Sequence, residues 1–283
     1  MTTNDIRSEF IPIGDHQLCL HHYPTTTPEP TTVVLLFHGF LAHGLYPTVK
    51  YAAQVLQKQN LRVLSYDMQG HGRSEGLSGY LPSAEAVVQE AVAVTQYVQN
   101  KYLPKKFFLV GSSMGGAIAL GVSQQISVTG GVILLAPMLQ LSVSSFEQVV
   151  LQGLAAVLPT LSCIPSKSTS ADLQYRDPAK RQECEDDPLV PKTNTIRVGS
   201  ANTCVQLTKR VSAVAPTAPL LILLADEDVI VQNEGAERLF AAAECPDKTL
   251  KRYPGALHGL LCETRPLLDQ IEHDLVEWVQ ARL

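Results

Sequence analysis

The chain alternates between short apolar runs and longer stretches in which apolar residues recur every three or four positions. The short runs are typical of strands buried on both faces, and the longer stretches are typical of amphipathic helices. We predict strands at residues 33–37, 62–66, 106–110, 131–135, 220–224 and 249–253. Helices are predicted at residues 47–59, 84–101, 114–126, 235–243 and 266–282. This alternation predicts an α/β fold, with a mostly parallel central sheet flanked by helices.

Two regions depart from the alternation. The first 23 residues hold two weaker strand candidates, which we expect to form an antiparallel edge, and residues 23–30 predict a loop. Residues 139–215 contain no convincing central strand. Because a long connection without strands inside a compact domain is usually functional, we expect these residues to form a helical cap inserted between two strands. Residues 1–138 and 216–283 then form the core.

Composition and charge exclude several classes of protein. The chain is 45% hydrophobic and 17% charged, which argues against extensive disorder. Its net charge of -5 provides no basic excess, so we expect no binding to nucleic acid. The sequence has neither a signal-peptide pattern nor an apolar stretch long enough to span a bilayer, and we therefore expect a cytoplasmic location. The six cysteines show neither CxxC spacing nor clusters with histidine, so no metal site is indicated.

A candidate nucleophile follows the third of these strands. The segment Gly111-Ser112-Ser113-Met114-Gly115 has the GxSxG pattern, with a predicted strand before it and a predicted helix after it. This is the setting of a nucleophile elbow, a sharp turn that exposes the serine hydroxyl. Glycines two positions away on either side allow such a turn to close. The alternative is a tight glycine turn in which the serine is incidental.

A serine hydroxyl needs a neighbouring base to remove its proton and a carboxylate to orient that base. In proteins with this elbow the chain order is serine, then acid, then histidine. Two histidines follow Ser113 in the sequence. His258 lies in a glycine-containing loop after the last predicted strand, whereas His273 lies in the terminal amphipathic helix and is expected to be solvated. We therefore expect His258 to be the base.

The acid is expected in the loop after the preceding strand, where three carboxylates compete. Asp226, Glu227 and Asp228 are consecutive and are followed by an apolar Val-Ile-Val that can anchor the loop. Asp228 adjoins this anchor and is the preferred candidate. Asp226 remains the alternative, and Glu227 is expected to face solvent.

A tetrahedral intermediate needs two backbone N–H donors for its oxyanion. Met114, directly after the candidate nucleophile, supplies one of them. The second is expected from Phe40, in the turn His38-Gly39-Phe40 after the first predicted strand. We expect the His38 imidazole to satisfy backbone groups of this turn and not to act as a base.

Five segments, taken together and in order, resemble the monoacylglycerol lipase and lysophospholipase family of α/β hydrolases. They are residues 37–40, 66–76, 111–116, 225–231 and 254–258. The resemblance extends over nearly the whole chain and implies the α/β-hydrolase fold. It also implies a triad and an oxyanion hole that require no metal or organic cofactor, at Ser113, Asp228, His258, Phe40 and Met114.

The same resemblance implies that the substrate is a single-chain acyl lipid that enters beneath an apolar cap. The sequence departs from the family at three positions. Ser112 stands where histidine or glutamine is usual, Phe40 is bulkier than the common small residue, and Ala225 replaces a common glycine. These departures leave the expected chemistry intact. They weaken any inference about which acyl glycerol, lysolipid or small ester fits the pocket.

The cap contains an apolar segment at residues 146–159 that would be apolar over most of its surface if helical. It is either a core helix or the lip of an acyl channel that also rests on a membrane or micelle surface. We expect the substrate-binding residues to be Gly39, Phe146, Val150, Leu154 and Leu158.

We therefore expect a serine hydrolase that cleaves carboxylic esters through an acyl-enzyme. Other enzymes of the same fold and triad remain alternatives: a small-ester or thioester esterase, an amidase or aminopeptidase, and an acyltransferase. A ligand-binding protein without catalytic activity is a further alternative, although such proteins typically lack a complete triad.

Overall fold

A computed structural model of the chain describes residues 5–25 and 29–283. Residues 26–28, within the loop predicted at 23–30, lie outside the described part. The described residues form an eight-stranded sheet, with its strands in the order β1-β2-β4-β3-β5-β6-β9-β10. Its strands are β1 (Arg7–Ile13), β2 (His16–His22), β3 (Thr32–Phe37), β4 (Arg62–Tyr66), β5 (Lys106–Ser112), β6 (Gly131–Leu135), β9 (Leu220–Ala225) and β10 (Lys248–Tyr253).

The six strands predicted from apolar runs are confirmed, and they form the parallel part of the sheet. The first two strands are antiparallel to each other, and β2 is antiparallel to β4, as expected for an edge. All residues of β6 and β9 are buried. Burial on both faces explains why these strands are continuous apolar runs instead of alternating ones.

Helices cover both faces of the sheet. The helices of the described residues are α1 (Pro47–Gln57), α2 (Ala84–Tyr102), α3 (Met114–Ser123), α4 (Ser145–Val157), α5 (Pro178–Asp186), α6 (Val198–Ser212), α7 (Asn233–Ala242) and α8 (Leu267–Gln280), of which α4 and α5 lie in the cap and not on the sheet. Successive residues of β3 point to opposite faces. Val33 and Leu35 join the core under α2, α3, α6 and α7, and Val34 and Leu36 join the core under α1 and α8. The five predicted helices are confirmed, with ends shifted by a few residues.

The predicted cap contains α4, α5, α6 and two short strands, β7 (Ser162–Pro165) and β8 (Thr195–Arg197), which pair with each other. This small sheet was not predicted, because its strands are short and contain no buried residue. Ten residues of α6 are buried, and this helix packs against α2, α3 and α4. It therefore joins the cap to the core.

Helix α4 differs from α6 because none of its residues is buried. Of the two alternatives for residues 146–159, the core helix is therefore the wrong one. The helix begins with a capping box, in which Ser144 and Glu147 exchange hydrogen bonds with each other's backbone. Among the helices of the described residues, none has both the length and the apolar character required to cross a bilayer.

Candidate active site

Ser113 occupies a strained turn between β5 and α3. Its φ of 55° and ψ of -121° are unfavourable for a residue with a side chain. The Ser113 amide donates to the Leu135 carbonyl at 3.0 Å, which ties the turn to the end of β6. A Cβ atom on Gly111 would collide with the Gly115 carbonyl, and one on Gly115 would collide with the Phe37 carbonyl. The two glycines of the motif are thus required by the packing of the turn.

His258 and Asp228 form a hydrogen-bonded pair. The distance from His258 Nδ1 to Asp228 Oδ2 is 2.6 Å. The other carboxylate oxygen, Oδ1, accepts from the amides of Ile230 at 2.8 Å and Val231 at 3.0 Å. The apolar residues after Asp228 therefore hold its carboxylate through their amides. Both of its oxygens are engaged, so the carboxylate has one orientation toward the imidazole.

The other two acids of the loop have different partners. Asp226 Oδ1 lies 2.7 Å from Arg252 Nε, and Glu227 Oε2 lies 2.8 Å from Arg176 Nη2. Glu227 is thus exposed, as expected, but it is also paired with a residue of the cap. His273 is exposed on α8.

Ser113 and His258 line the same cavity, which has a volume of about 190 Å³. The cavity lies between the core and the cap. Gly39, Phe40 and Ser112 contribute to its core side. Several residues within the ranges 168–175 and 184–193 contribute to its cap side. Because Asp228 is bonded to the imidazole, the structure brings together three distant segments at one cavity.

Two backbone amides adjoin Ser113. Met114 is the first residue of α3, and the first four amides of a helix have no acceptor within that helix. Phe40 lies in a turn closed by a 3.2 Å hydrogen bond from the Ala42 amide to the Gly39 carbonyl. A Cβ atom on Gly39 would lie 3.5 Å from Ser113 Cβ. This turn is therefore in close contact with the serine.

His38 braces this turn. Its Nε2 accepts from the Met68 amide at 3.0 Å. Its Nδ1, which must then carry the proton, donates to the Gly39 carbonyl at 2.8 Å. Burial, together with the neighbouring His71, lowers the pKa of His38 to about 3. The imidazole is thus neutral and fully used by backbone groups, as expected.

Asp67 fixes the neighbouring loop. Its Oδ1 accepts from His21 Nε2 at 2.9 Å and from the Gly44 amide at 2.6 Å, and its Oδ2 accepts from the Arg73 amide at 2.8 Å. Burial by itself raises the pKa of Asp67, but the His21 and Arg73 contacts lower it to about 2. Arg73 takes part through its backbone.

The expectation that no cysteine clusters with histidine is wrong for Cys19. Cys19, His21 and Asp67 have potential metal-ligand atoms within 4.8 Å of one another. The contacts of these side chains fit a structural brace better. His21 is bonded through Nδ1 to Ser8 Oγ at 2.8 Å as well as to Asp67. Burial raises the pKa of the Cys19 thiol to about 11, whereas a cysteine ligand must be a thiolate.

A family model described as serine aminopeptidase, S33 (Hydrolase_4) matches residues 28–265. The chain belongs to this family. The expectation of a hydrolase is thereby confirmed.

Two relatives of this S33-family chain match over most of its length. The monoglyceride lipase of Homo sapiens is 29% identical over 276 residues, covering 95% of the chain and 88% of the human protein. The monoacylglycerol lipase of Mycolicibacterium smegmatis is 29% identical over 270 residues, covering 92% of the chain and 93% of the bacterial protein. The resemblance to monoacylglycerol lipases is thus confirmed.

A solved structure supports the fold. It is a soluble variant of monoglyceride lipase from Saccharomyces cerevisiae in complex with a substrate analogue. The TM-score is 0.83 at 20% identity, and the match covers 99% of this chain and 98% of the yeast chain. The predicted α/β-hydrolase fold is confirmed.

Four of the expected substrate-binding residues are not among those that line the cavity of this S33-family chain. They are Phe146, Val150, Leu154 and Leu158, which are exposed on or just after α4. Gly39 does line the cavity. An apolar helix was therefore predicted in the right place, but in this structure these side chains are exposed and do not line the cavity.

Several residues of the cap side were missed from the sequence. Tyr175 and Cys184 are buried there, and the Tyr175 hydroxyl donates to that of Tyr46 at 3.2 Å. Arg176 reaches both loops that carry His258 and Asp228. No spacing or motif marks these positions. Tyr175 and Arg176 lie in an irregular part of the cap and Cys184 lies in the short helix α5, and Tyr175 and Arg176 contact segments far away in the chain.

Proposed function

We propose that this S33-family chain hydrolyses the ester bond of monoacylglycerols, with Ser113 as nucleophile, His258 as general base and Asp228 as its acidic partner. The observation that carries the proposal is the His258–Asp228 hydrogen bond of 2.6 Å at the cavity that Ser113 also lines. Since Asp228 engages Nδ1, the other ring nitrogen, Nε2, remains to accept the serine proton.

The reaction is an acyl transfer in two stages. Ser113 Oγ attacks the ester carbonyl while His258 Nε2 takes its proton, and glycerol leaves with that proton as the acyl-enzyme forms. Water then attacks the acyl-enzyme, with His258 again as the base, and the fatty acid is released. Throughout, the amides of Phe40 and Met114 donate to the oxyanion, and each such donor typically contributes about 3 kcal/mol to transition-state stabilisation.

The choice of substrate rests on the relatives. The human and mycobacterial relatives are both named as lipases of monoacylglycerols. The family model is instead named for an aminopeptidase. The experiment must therefore distinguish hydrolysis of amides from hydrolysis of monoacylglycerol esters. A single-chain lipid is also consistent with a site that lies beneath a cap.

We further propose that α4 rests on the lipid surface that holds the substrate. Phe146 is 78% exposed and Val157 is 76% exposed, and large apolar side chains grouped on one exposed helix are typical of an interaction surface. An interfacial helix places such side chains at the boundary between headgroups and acyl chains. The site would then open close to its water-insoluble substrate.

The central test replaces Ser113 by alanine. Wild-type protein should hydrolyse monoacylglycerols and be labelled by a fluorophosphonate probe. The Ser113→Ala variant should show neither hydrolysis nor labelling, and its thermal unfolding temperature should equal that of wild type. Ser112→Ala is the matched control, because it removes the neighbouring hydroxyl, and it should still be labelled. Labelling that persists in Ser113→Ala would reject the assignment. Faster cleavage of aminoacyl amides than of monoacylglycerols would reject the substrate class.

A further inference from the structure

One segment of the cap contacts both loops that carry the proposed triad. We call residues 174–177 the clamp segment, residues 226–231 the acid loop and residues 254–263 the histidine loop. The Gly259 amide donates to the Gln174 carbonyl at 2.8 Å, and the Asp177 amide donates to the Cys262 carbonyl at 3.0 Å. The clamp segment is therefore bonded to the histidine loop on the C-terminal side of His258.

Tyr175 packs against the same loop. A Cβ atom on Gly259, the residue after His258, would collide with the Tyr175 ring. The ring is buried, and its hydroxyl donates to Tyr46 of the core. The cap thus lies directly against the backbone next to the proposed base.

Arg176 joins the two loops. Its Nη2 donates to Glu227 Oε2 in the acid loop at 2.8 Å and to the Gly255 carbonyl in the histidine loop at 2.5 Å. Glu227 in turn donates its amide to the Ala256 carbonyl at 2.9 Å. The Arg176 guanidinium therefore connects Glu227, the residue before Asp228, with Gly255, which lies shortly before His258.

The third partner of Arg176 is a buried carboxylate. Arg176 Nε lies 3.2 Å from Glu263 Oε2, in an ion pair without hydrogen-bond geometry. The Glu263 side chain is 0% exposed, and its Oε1 accepts from the amide of Leu257, next to His258, at 2.6 Å. Burying a charged carboxylate costs free energy unless a cation is paired with it. The Arg176 guanidinium therefore stabilises Glu263, which in turn holds the Leu257 amide next to His258.

We infer that Arg176 is a positioning residue, which holds the acid loop and the histidine loop in the arrangement that the Asp228–His258 hydrogen bond requires. The cap then acts on the reacting groups as well as on the entry of substrate. This inference rests on the proposed function. It concerns turnover of every ester, including small soluble ones that do not need the cap for binding.

The experiment measures kcat and KM for a short, water-soluble ester. In Arg176→Met, kcat should fall about 10- to 100-fold, because small displacements of reacting groups are costly to the rate, while KM should change less than about threefold. Arg176→Lys should restore part of kcat, because lysine keeps the charge but cannot reproduce the guanidinium fork.

Arg197 provides the matched control. It also joins the cap to the core, since its Nε donates to the Ser78 carbonyl at 2.9 Å, but it does not touch the acid loop or the histidine loop in the described contacts. Arg197→Met should keep kcat within about threefold of wild type. A similar loss of kcat in Arg197→Met, or wild-type kcat in Arg176→Met, would overturn the inference.

A failure of the inference about Arg176 can be distinguished from a failure of the proposed function. If wild-type protein cleaves no ester, the proposed function fails, whereas active wild type with equally active Arg176→Met refutes this inference alone. If Arg176→Met does not fold, Arg176→Lys and Glu227→Gln carry the same comparison. Both should then lower kcat more than Arg197→Met does, and the reverse order refutes the inference.

Discussion

Replacing Asp228 by asparagine tests the proposed triad at the contact that defines it. Asp228 Oδ1 accepts two amides, from Ile230 and Val231, so the oxygen of an asparagine side chain should take that position. Its NH₂ group would then face His258 Nδ1, in place of the carboxylate oxygen now at 2.6 Å. The imidazole must accept this hydrogen bond, and its proton moves to Nε2. That tautomer cannot take the proton of Ser113.

The expected loss of kcat is about 10⁴-fold, as for the equivalent change in other serine hydrolases. This corresponds to about 5 kcal/mol of transition-state stabilisation. The assay compares kcat for a monoacylglycerol and for a short soluble ester, with thermal unfolding as a check on the fold. Both substrates should lose activity by a similar factor, because the change acts on the base and not on binding.

Asp226→Asn is the matched control, since Asp226 lies in the same loop but pairs with Arg252. Exposed ion pairs contribute little to the free energy of folding, so loss of this one should leave the loop in place. The variant should therefore keep kcat within about threefold of wild type. If Asp228→Asn retained more than about a tenth of wild-type kcat, the tautomer argument would fail. If Asp226→Asn were the more damaging change, the acid would have been assigned to the wrong residue.

Two further predictions concern the lipid surface and the pH dependence of stability. Replacing Phe146 and Val157 together by serine should weaken binding to phospholipid vesicles and lower activity on vesicle-borne monoacylglycerol about tenfold or more, because it removes apolar area that the membrane would bury. Activity on a short soluble ester should not change. Replacing Asp67 by asparagine should reduce the free energy of unfolding more at pH 5 than at pH 2. The pKa of Asp67 is lowered from 3.8 to about 2, so the unfolded chain binds the proton first as the pH falls, and about 2 kcal/mol of wild-type stability is lost through this window. Urea unfolding of both proteins across pH 2–6 measures the difference.

Both predictions have outcomes that contradict them. For α4, the control is Leu103→Ser, which removes an apolar side chain that is 81% exposed after α2. Equal loss of vesicle binding in Leu103→Ser would show that the effect is not specific to α4. For Asp67, a stability difference from Asp67→Asn that stays constant from pH 2 to pH 6 would contradict the pKa argument.

The amino-acid sequence by itself determined the layers of the fold. The strands of the parallel sheet are buried on both faces, so they appear as apolar runs that can be recognised without coordinates. The glycines around Ser113 are also a local requirement, because the turn between β5 and α3 closes only where side chains are absent. The proposed triad of Ser113, Asp228 and His258 then follows from the order of serine, acid and histidine that is known for this elbow.

Only the tertiary structure decided how the cap is arranged. An apolar helix at residues 146–159 was predicted, but which way it faces depends on its contacts with α6 and not on its own pattern. The sequence preferred Asp228 over Asp226 because Asp228 adjoins the apolar anchor, and coordinates were needed to see that Asp228 is bonded to His258 whereas Asp226 is paired with Arg252. Arg176 was invisible in the sequence for the same reason, because its partners lie 51 to 87 residues away along the chain, at Glu227, Gly255 and Glu263. Strands and turns are set by neighbours in sequence, whereas these contacts form only after the chain has folded and brought distant loops together.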